Sequence, residues 1–208
     1  MTPRRITAAL VDYGAGNLAS VARAFTGLGY RCRSSRDPGA LATADLLVLP
    51  GVGAFPAAMA ALHAHHLVDF LGERARAGQP IIGICLGMQL LADNSSEHGL
   101  TAGLGLVPGH VRPLPQARWH IGWNSVDVLG DDPLLRPSDG ESLYFNHAYA
   151  FSAPGPYTVA VSRLDDALDA PVTVAVHRHN IVGLQFHPEK SQGAGQALLR
   201  NVVEGLLQ

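Results

Sequence analysis

Ile81-Ile82-Gly83-Ile84-Cys85-Leu86-Gly87-Met88-Gln89 is the stretch on which the reading of this chain turns. The apolar run Ile81–Ile84 reads as a buried strand. Leu86 to Ala92 reads as the start of a helix. Between them stands Cys85, with Gly83 and Gly87 two residues away on either side, the spacing of a nucleophile elbow. A strand that turns directly into a helix strains the backbone of the residue at the bend. Side chains on its neighbours would collide with the adjoining elements, so glycine is required there. The thiol is then lifted above the sheet at a helix N-terminus, where the dipole favours thiolate. By itself the same segment also reads as a buried, inert cysteine in a glycine-rich strand.

Outward from the elbow, strands and helices alternate. Residues 6–12 read as a first buried strand, followed by the turn Gly14-Ala15-Gly16-Asn17 with Asn17 as helix N-cap. The helix after it carries Leu18, Val21, Ala22, Phe25 and Leu28 on one stripe. Tyr30–Ser34, with Arg31 and Arg33, reads as an edge strand, and Asp37-Pro38 opens a helical turn. Leu46–Leu49 is a third buried strand, closed by Pro50-Gly51-Val52-Gly53, and helices are predicted over 54–64 and 67–77. This rhythm indicates βαβ units and a parallel sheet. After residue 93 the texture changes. Ile121–Val128, Leu143–Phe145, Thr158–Val161, Val172–His177 and Ile181–Phe186 read as strands, partly antiparallel, with His179-Asn180 as a hairpin turn. A last helix is predicted from about Gln196. The expected fold class is α/β: one domain over 1–208, an open and mostly parallel sheet flanked by helices, with antiparallel strands added in the second half.

Composition narrows the function classes. Of the 208 residues 47% are hydrophobic and 15% charged, which describes a globular chain rather than a disordered one. A net charge of -2 argues against nucleic acid or an anionic membrane as partner. Two cysteines, Cys32 and Cys85, make no disulfide framework. The N-terminus shows no secretory signal and no apolar run is long enough to span a bilayer, so a reducing cytoplasm is expected.

A cysteine nucleophile needs a base and a group that orients the base. Gln185-Phe186-His187-Pro188-Glu189-Lys190 offers both. Pro188 biases His187 toward extended backbone, and in an extended segment His187 and Glu189 share a face. The carboxylate can then fix the tautomer and stabilise the imidazolium. A surface histidine beside a solvated glutamate is the bland alternative. A tetrahedral oxyanion calls for fixed backbone donors, for which the amides of Leu86 and of the Gly51–Gly53 turn are candidates.

With these pieces together, the chain resembles the class I (triad) glutamine amidotransferases. Within them it is most similar to the glutaminase subunits of imidazole glycerol phosphate synthase. The resemblance runs through Asp12–Asn17, Pro50–Phe55, Gly83–Leu91, Gly103–Gly105, His120–Asn124, Tyr144–Tyr149 and Gln185–Gln192. It implies a flavodoxin-like fold and a catalytic triad of Cys85, His187 and Glu189. Gly51, Val52, Gly53, Leu86 and Gln89 would hold the oxyanion and the glutamine, the Val52 peptide turning before it can donate. No cofactor or metal is implied. Glutamine would be hydrolysed through a thioester, and the ammonia channelled to a (βα)₈-barrel cyclase subunit in histidine biosynthesis. Asn17, Trp123 and Lys190 would face that partner. Two departures from the family pattern are Ala148, where serine is common, and Arg118-Trp119, which replaces lysine-proline.

Other readings stay open at this stage. Gly14–Ala19 fits G-x-G-x-x-A with Asp37 downstream, a nucleotide-binding pattern. A hydrolase such as a γ-glutamyl peptidase, or an inactive amidotransferase-like binding subunit, could share the scaffold. His63 and His66, a helical turn apart, could share a metal; His177 and His179 read as solvated, and Cys32 as idle.

Overall fold

The computed structural model describes residues 5–114, 119–164 and 170–208. The first half runs β1 (Thr7–Val11), α1 (Leu18–Gly27), β2 (Arg31–Ser35), α2 (Pro38–Ala42), β3 (Leu46–Gly51), α3 (Phe55–Ala64), α4 (Leu67–Arg76), β4 (Ile81–Cys85) and α5 (Leu86–Leu90). The second half runs β5 (Asn94–Ser95), β6 (Thr101–Ala102), β7 (His110–Pro113), β8 (His120–Ser125), β9 (Asp127–Val128), β10 (Ser142–His147), β11 (Tyr149–Ser152), β12 (Thr158–Ser162), β13 (Val172–Arg178), β14 (Ile181–Leu184) and α6 (Gln192–Leu206).

Among the described residues the main sheet has the order β2-β1-β3-β4-β14-β13-β12-β9. The pairs from β2 through β14 are parallel and the last three are antiparallel. Alternation along the central strands explains why both faces are apolar. On β3, Leu46 and Val48 point to the face covered by α1 and α6, where Val21, Phe25, Leu198 and Val202 are buried. Leu47 and Leu49 point to the opposite face, against Phe55, Leu62 and Leu71 of α3 and α4. A strand buried on both faces has no reason to alternate polar and apolar residues, which is why β3 and β4 read as continuous apolar runs.

The order in which strands are added reverses at β1, with β2 on one side and β3 and β4 on the other, all parallel, and the crevice beside such a switch point is where α/β sheets place ligands. The C-terminal ends of β3 and β4 lie side by side there, with Gly51 in register with Cys85.

Several expectations need correction. The segment 121–128 is two strands: β8 pairs with β10 in a separate two-stranded sheet, while β9 joins the main sheet. Buried Val126 makes the break, its amide and carbonyl bonded to Glu141 and Gly140. A small sheet, β11-β7-β5-β6, had no legible sequence signal because its strands are as short as two residues. The last helix begins at Gln192, four residues earlier than its apolar stripe suggested. Gly193 and Gly195 mask its first turn, and Gly195 is required by packing, since a Cβ there would collide with the Pro188 carbonyl. Asn17 precedes α1 but makes no side-chain cap bond, its amide being committed elsewhere. The helix after Cys85 has five residues.

Candidate active site

The elbow is built as its glycines require. Cys85 has φ 55° and ψ −111°, a conformation that L-residues reach only under strain, at a cost of about 1–3 kcal/mol. A Cβ on Gly83 would lie 2.7 Å from the Gly87 carbonyl oxygen, and one on Gly87 would overlap the Leu49 carbonyl. On the flanking strand a Cβ on Gly51 would run into the Tyr13 hydroxyl, which donates to the Pro50 carbonyl at 2.7 Å. Three glycines thus allow β3, β4 and α5 to close around a single sulfur. Tyr13 is buried beneath it, and burial raises the pKa of its phenol well above the ordinary value, so it serves as a neutral donor.

His187 arrives from the far side. Its backbone, at φ −102° and ψ 89°, is extended as Pro188 demands. The next residues, however, form a 3₁₀ turn over Pro188–Lys190, so His187 and Glu189 do not meet by strand alternation. The turn itself makes the pairing: proline fixes its first φ, and the Lys190 amide closes it on the His187 carbonyl at 3.0 Å. Ser191 Oγ donates to the same carbonyl at 2.7 Å, and the His187 amide donates to the Tyr144 carbonyl at 2.8 Å, tying the segment to β10. His187 Nδ1 is 2.8 Å from Glu189 Oε1, with the two side chains 1% and 0% exposed. Burial acts to lower the pKa of His187. Hydrogen bonds to Cys85 and to Glu189, and their charges, outweigh it and raise the pKa from the ordinary 6.5 to about 9. The ring is thus bonded to the carboxylate and electrostatically coupled to the sulfur, with imidazolium as its favoured state.

Cys85 opens on its other side into a cavity of about 570 Å³, lined by Val52, Gly53, Leu86, Gln89, Glu97, Trp119 and Ala148 among others. That is a volume suited to a small polar metabolite. Gln89 is buried, and its amide donates to the Tyr149 carbonyl and to Gln185 Oε1, both at 2.9 Å. Gln185 in turn directs its own amide at Cys85 Sγ, 3.8 Å away. Glu97 is 8% exposed and caps α3, accepting from the Phe55 amide at 2.7 Å. It is the acidic side chain in the cavity lining.

A pair of neutral histidines supports this wall. His147 Nδ1 lies 2.8 Å from the Tyr149 carbonyl, which can only accept, so Nδ1 carries the proton. His147 Nε2 must then accept from His120 Nδ1 at 3.0 Å, and His120 Nε2 accepts from the Asn124 amide at 3.3 Å. Burial lowers the pKa of His147 to about 4 and also lowers that of His120, consistent with two neutral rings. The Tyr149 carbonyl that receives His147 is the one that receives Gln89.

Of the residues singled out in the sequence, Cys85, His187 and Glu189 come together, and Gly51, Val52, Gly53, Leu86 and Gln89 surround the sulfur. Asn17 is buried, its amide 3.3 Å from Glu189 Oε1. Trp123 is half exposed and packs edge-on against Tyr144, over whose ring the Lys190 ammonium sits at 5.7 Å. Sequence reasoning passed over Glu97, Gln185, Tyr13 and the two histidines. Gln185, a polar residue directly after an apolar strand, carried a usable signal; Glu97, in a polar run without periodicity, carried none. The remaining candidates go elsewhere. Asp37 caps α2 through the Ala40 amide and is not free for a ribose. His63 and His66 belong to no group of three metal-ligating side chains among the described residues. His177 is not solvated: its Nδ1 lies 2.6 Å from Asp132 Oδ2, and that hydrogen bond, against the effect of burial, raises its pKa. Cys32 is half-buried, which pushes its thiol up to about 11. Arg118 lies outside the described residues.

A cysteine at a strained elbow, paired with a His–Glu couple on a switch-point sheet, defines an enzyme of the thiol-dependent amide-transfer class. The chain belongs to the class I glutamine amidotransferases: the pattern of the family described as "Glutamine amidotransferase class-I" matches residues 9–205. Among named relatives, the "Imidazole glycerol phosphate synthase subunit HisH" of Listeria monocytogenes is 41% identical over 199 residues, covering 94% of each chain. The protein of that name from Streptococcus gordonii is 40% identical over 201 residues, again covering 94% of each. Solved structures share the fold. "Structure of PurLQS from Thermotoga maritima" superposes with a TM-score of 0.77 at 18% identity, covering 98% of this chain and 100% of the other. A glutamine amidotransferase from Thermotoga maritima gives a TM-score of 0.71 at 17% identity, covering 99% of each chain.

Proposed function

We propose that this chain is the glutaminase subunit of imidazole glycerol phosphate synthase, working as one unit over 1–208 in a reducing cytoplasm. The observation that carries the reading is the buried His187–Glu189 couple in contact with an elbow cysteine that opens on a cavity of metabolite size. Likeness to the subunits of that name over 94% of the chain selects the pathway branch.

The chemistry follows from the groups present. Cys85 Sγ, its proton already resting on His187 as imidazolium, attacks the side-chain amide carbon of glutamine. The tetrahedral oxyanion accepts from the Leu86 amide and from an amide of the Gly51–Gly53 loop; Val52, 42% exposed, sits where that loop can turn. Collapse breaks the C–N bond, and His187 returns the proton to the leaving ammonia. Water, deprotonated by His187, then attacks the thioester and releases glutamate with the free thiol. Glu189 keeps the imidazole oriented throughout. Gln89 and the Glu97 carboxylate are suited to the glutamine head group, Glu97 pairing with its ammonium.

Ammonia released into water becomes ammonium and loses its nucleophilicity, so a (βα)₈-barrel cyclase must dock close to Cys85 and receive it through a channel. Asn17, Trp123 and Lys190 are the face for that partner. Asn17 Oδ1 and Glu189 Oε2 are buried acceptors without a donor among the described residues, which favours a donor from outside the chain. The test is to co-purify the chain with the cyclase and follow glutamate release with and without the cyclase's phosphoribulosyl carboxamide ribonucleotide ligand. Release is expected to be slow until ligand is added. Cys85→Ala should abolish glutamine-dependent synthesis and leave ammonia-supported synthesis intact. Fast release by the isolated chain, unchanged by partner and ligand, would favour a free-standing γ-glutamyl hydrolase.

A further inference from the structure

Trp119 and Ala148, each at a departure from the family pattern, line the same cavity beside Cys85. The β8–β10 ladder ends with His120 opposite His147, and Trp119 and Ala148 lie one residue beyond that end on their two chains. The Trp119 indole N–H donates to Asn146 Oδ1 at 2.8 Å, and the backbone carbonyl of that same Asn146 accepts from Cys85 Sγ at 3.9 Å. The ring is held at one edge by this bond yet remains 65% exposed, which puts it at the mouth of the cavity rather than in the core.

We propose that Trp119 is a specificity-determining residue of the glutamine site: its indole, hooked to Asn146 and sharing the cavity lining with Ala148, forms the outer wall of the cavity. This rests on the glutamine reading above. The small side chain at position 148 leaves the lining apolar there, and the exposed indole of Trp119 extends that apolar lining to the mouth. The wall is flat and apolar and is suited to the methylene groups of glutamine. Glutamine would therefore be selected here by enclosure where a hydroxyl-bearing site would add a hydrogen bond.

The test uses the full chain with the cyclase and its ligand bound, and a diazoketone analogue of glutamine that alkylates Cys85, followed by peptide mass spectrometry. Varying the analogue concentration separates apparent affinity from the maximal alkylation rate. Losing an apolar contact to the ligand's methylenes predicts an affinity about tenfold weaker in Trp119→Ala, with the maximal rate within about twofold. Trp119→Phe, which keeps the wall and loses the hook, should stay within about threefold of the parent. Iodoacetamide, too small to need the wall, should alkylate Cys85 at the parental rate in all three proteins. Parental affinity in Trp119→Ala would overturn the proposal while leaving the glutaminase reading in place. Loss of iodoacetamide reactivity along with analogue labelling would also overturn it, since the ring would then support the fold. A parent chain alkylated by iodoacetamide but never by the analogue would overturn the glutamine reading itself.

Discussion

Glu189→Gln isolates the charge behind His187 while keeping its shape. In the native site Glu189 Oε1 lies 2.8 Å from His187 Nδ1, and neither side chain reaches solvent to any useful degree. Removing one partner of such a buried pair costs about 3–5 kcal/mol. The shift of His187 from 6.5 to about 9 gives a second scale. It corresponds to about 3 kcal/mol, produced by Cys85 and Glu189 together against the opposing effect of burial. At 1.36 kcal/mol per factor of ten, losing 3–5 kcal/mol from the imidazolium-forming step lowers turnover by about a hundredfold to a few thousandfold. The amide can also turn its NH₂ toward Nδ1 and select the wrong tautomer, which acts in the same direction. The assay is glutamate release at saturating glutamine with the cyclase and its ligand present, with ammonia-supported synthesis as the control. The expected signature is a fall in kcat with KM within about threefold, since the couple lies behind the sulfur and away from the glutamine cavity. A stability readout accompanies it. Because the folded pKa of His187 is raised, its contribution is complete below 6.5 and is lost as pH rises through about 9. The variant should show a flatter loss of stability across that window in denaturant titrations. Turnover within about threefold of the parent, together with an unchanged pH slope, would refute the reasoning.

Gly87→Ala would force a Cβ into the Leu49 carbonyl and should lower stability by roughly 3 kcal/mol or prevent folding; a parental urea midpoint would mean the elbow can relax. His147→Asn removes a ring whose pKa is depressed to about 4 by burial. Its native contribution is complete above 6.5 and is lost as pH falls toward 4, so the variant should lose less stability than the parent over that interval in thermal melts. Equal slopes in the two proteins would show that His147 titrates as an exposed group.

How far the site was legible follows from which contacts are local. The elbow was readable as a spacing, though not by itself as a nucleophile, because its steric constraint centres on five residues, Gly83 to Gly87, where each glycine answers a collision with the chain nearby or with the neighbouring strand. The His187–Glu189 couple was readable as a pair, but the geometry assigned to it was wrong: alternation was expected and a 3₁₀ turn makes the contact. Sequence spacing gives a distance between two side chains and leaves the backbone route undecided. The cavity was the least legible part. Gln89 and Gln185 are ninety-six positions apart and share a hydrogen bond, and His120 and His147 owe their meeting to the β8–β10 register. No local pattern encodes such pairs.

Composition and periodicity alone determined an α/β chain with a parallel sheet, a strained cysteine and a base with its acid, because apolar runs, glycine spacing and proline act over a few residues. Tertiary structure decided which polar groups face the sulfur, which histidines stay neutral and where the cavity wall stands. Those outcomes depend on burial and on partners brought from distant strands. Both are properties of the closed sheet and do not exist in the extended chain.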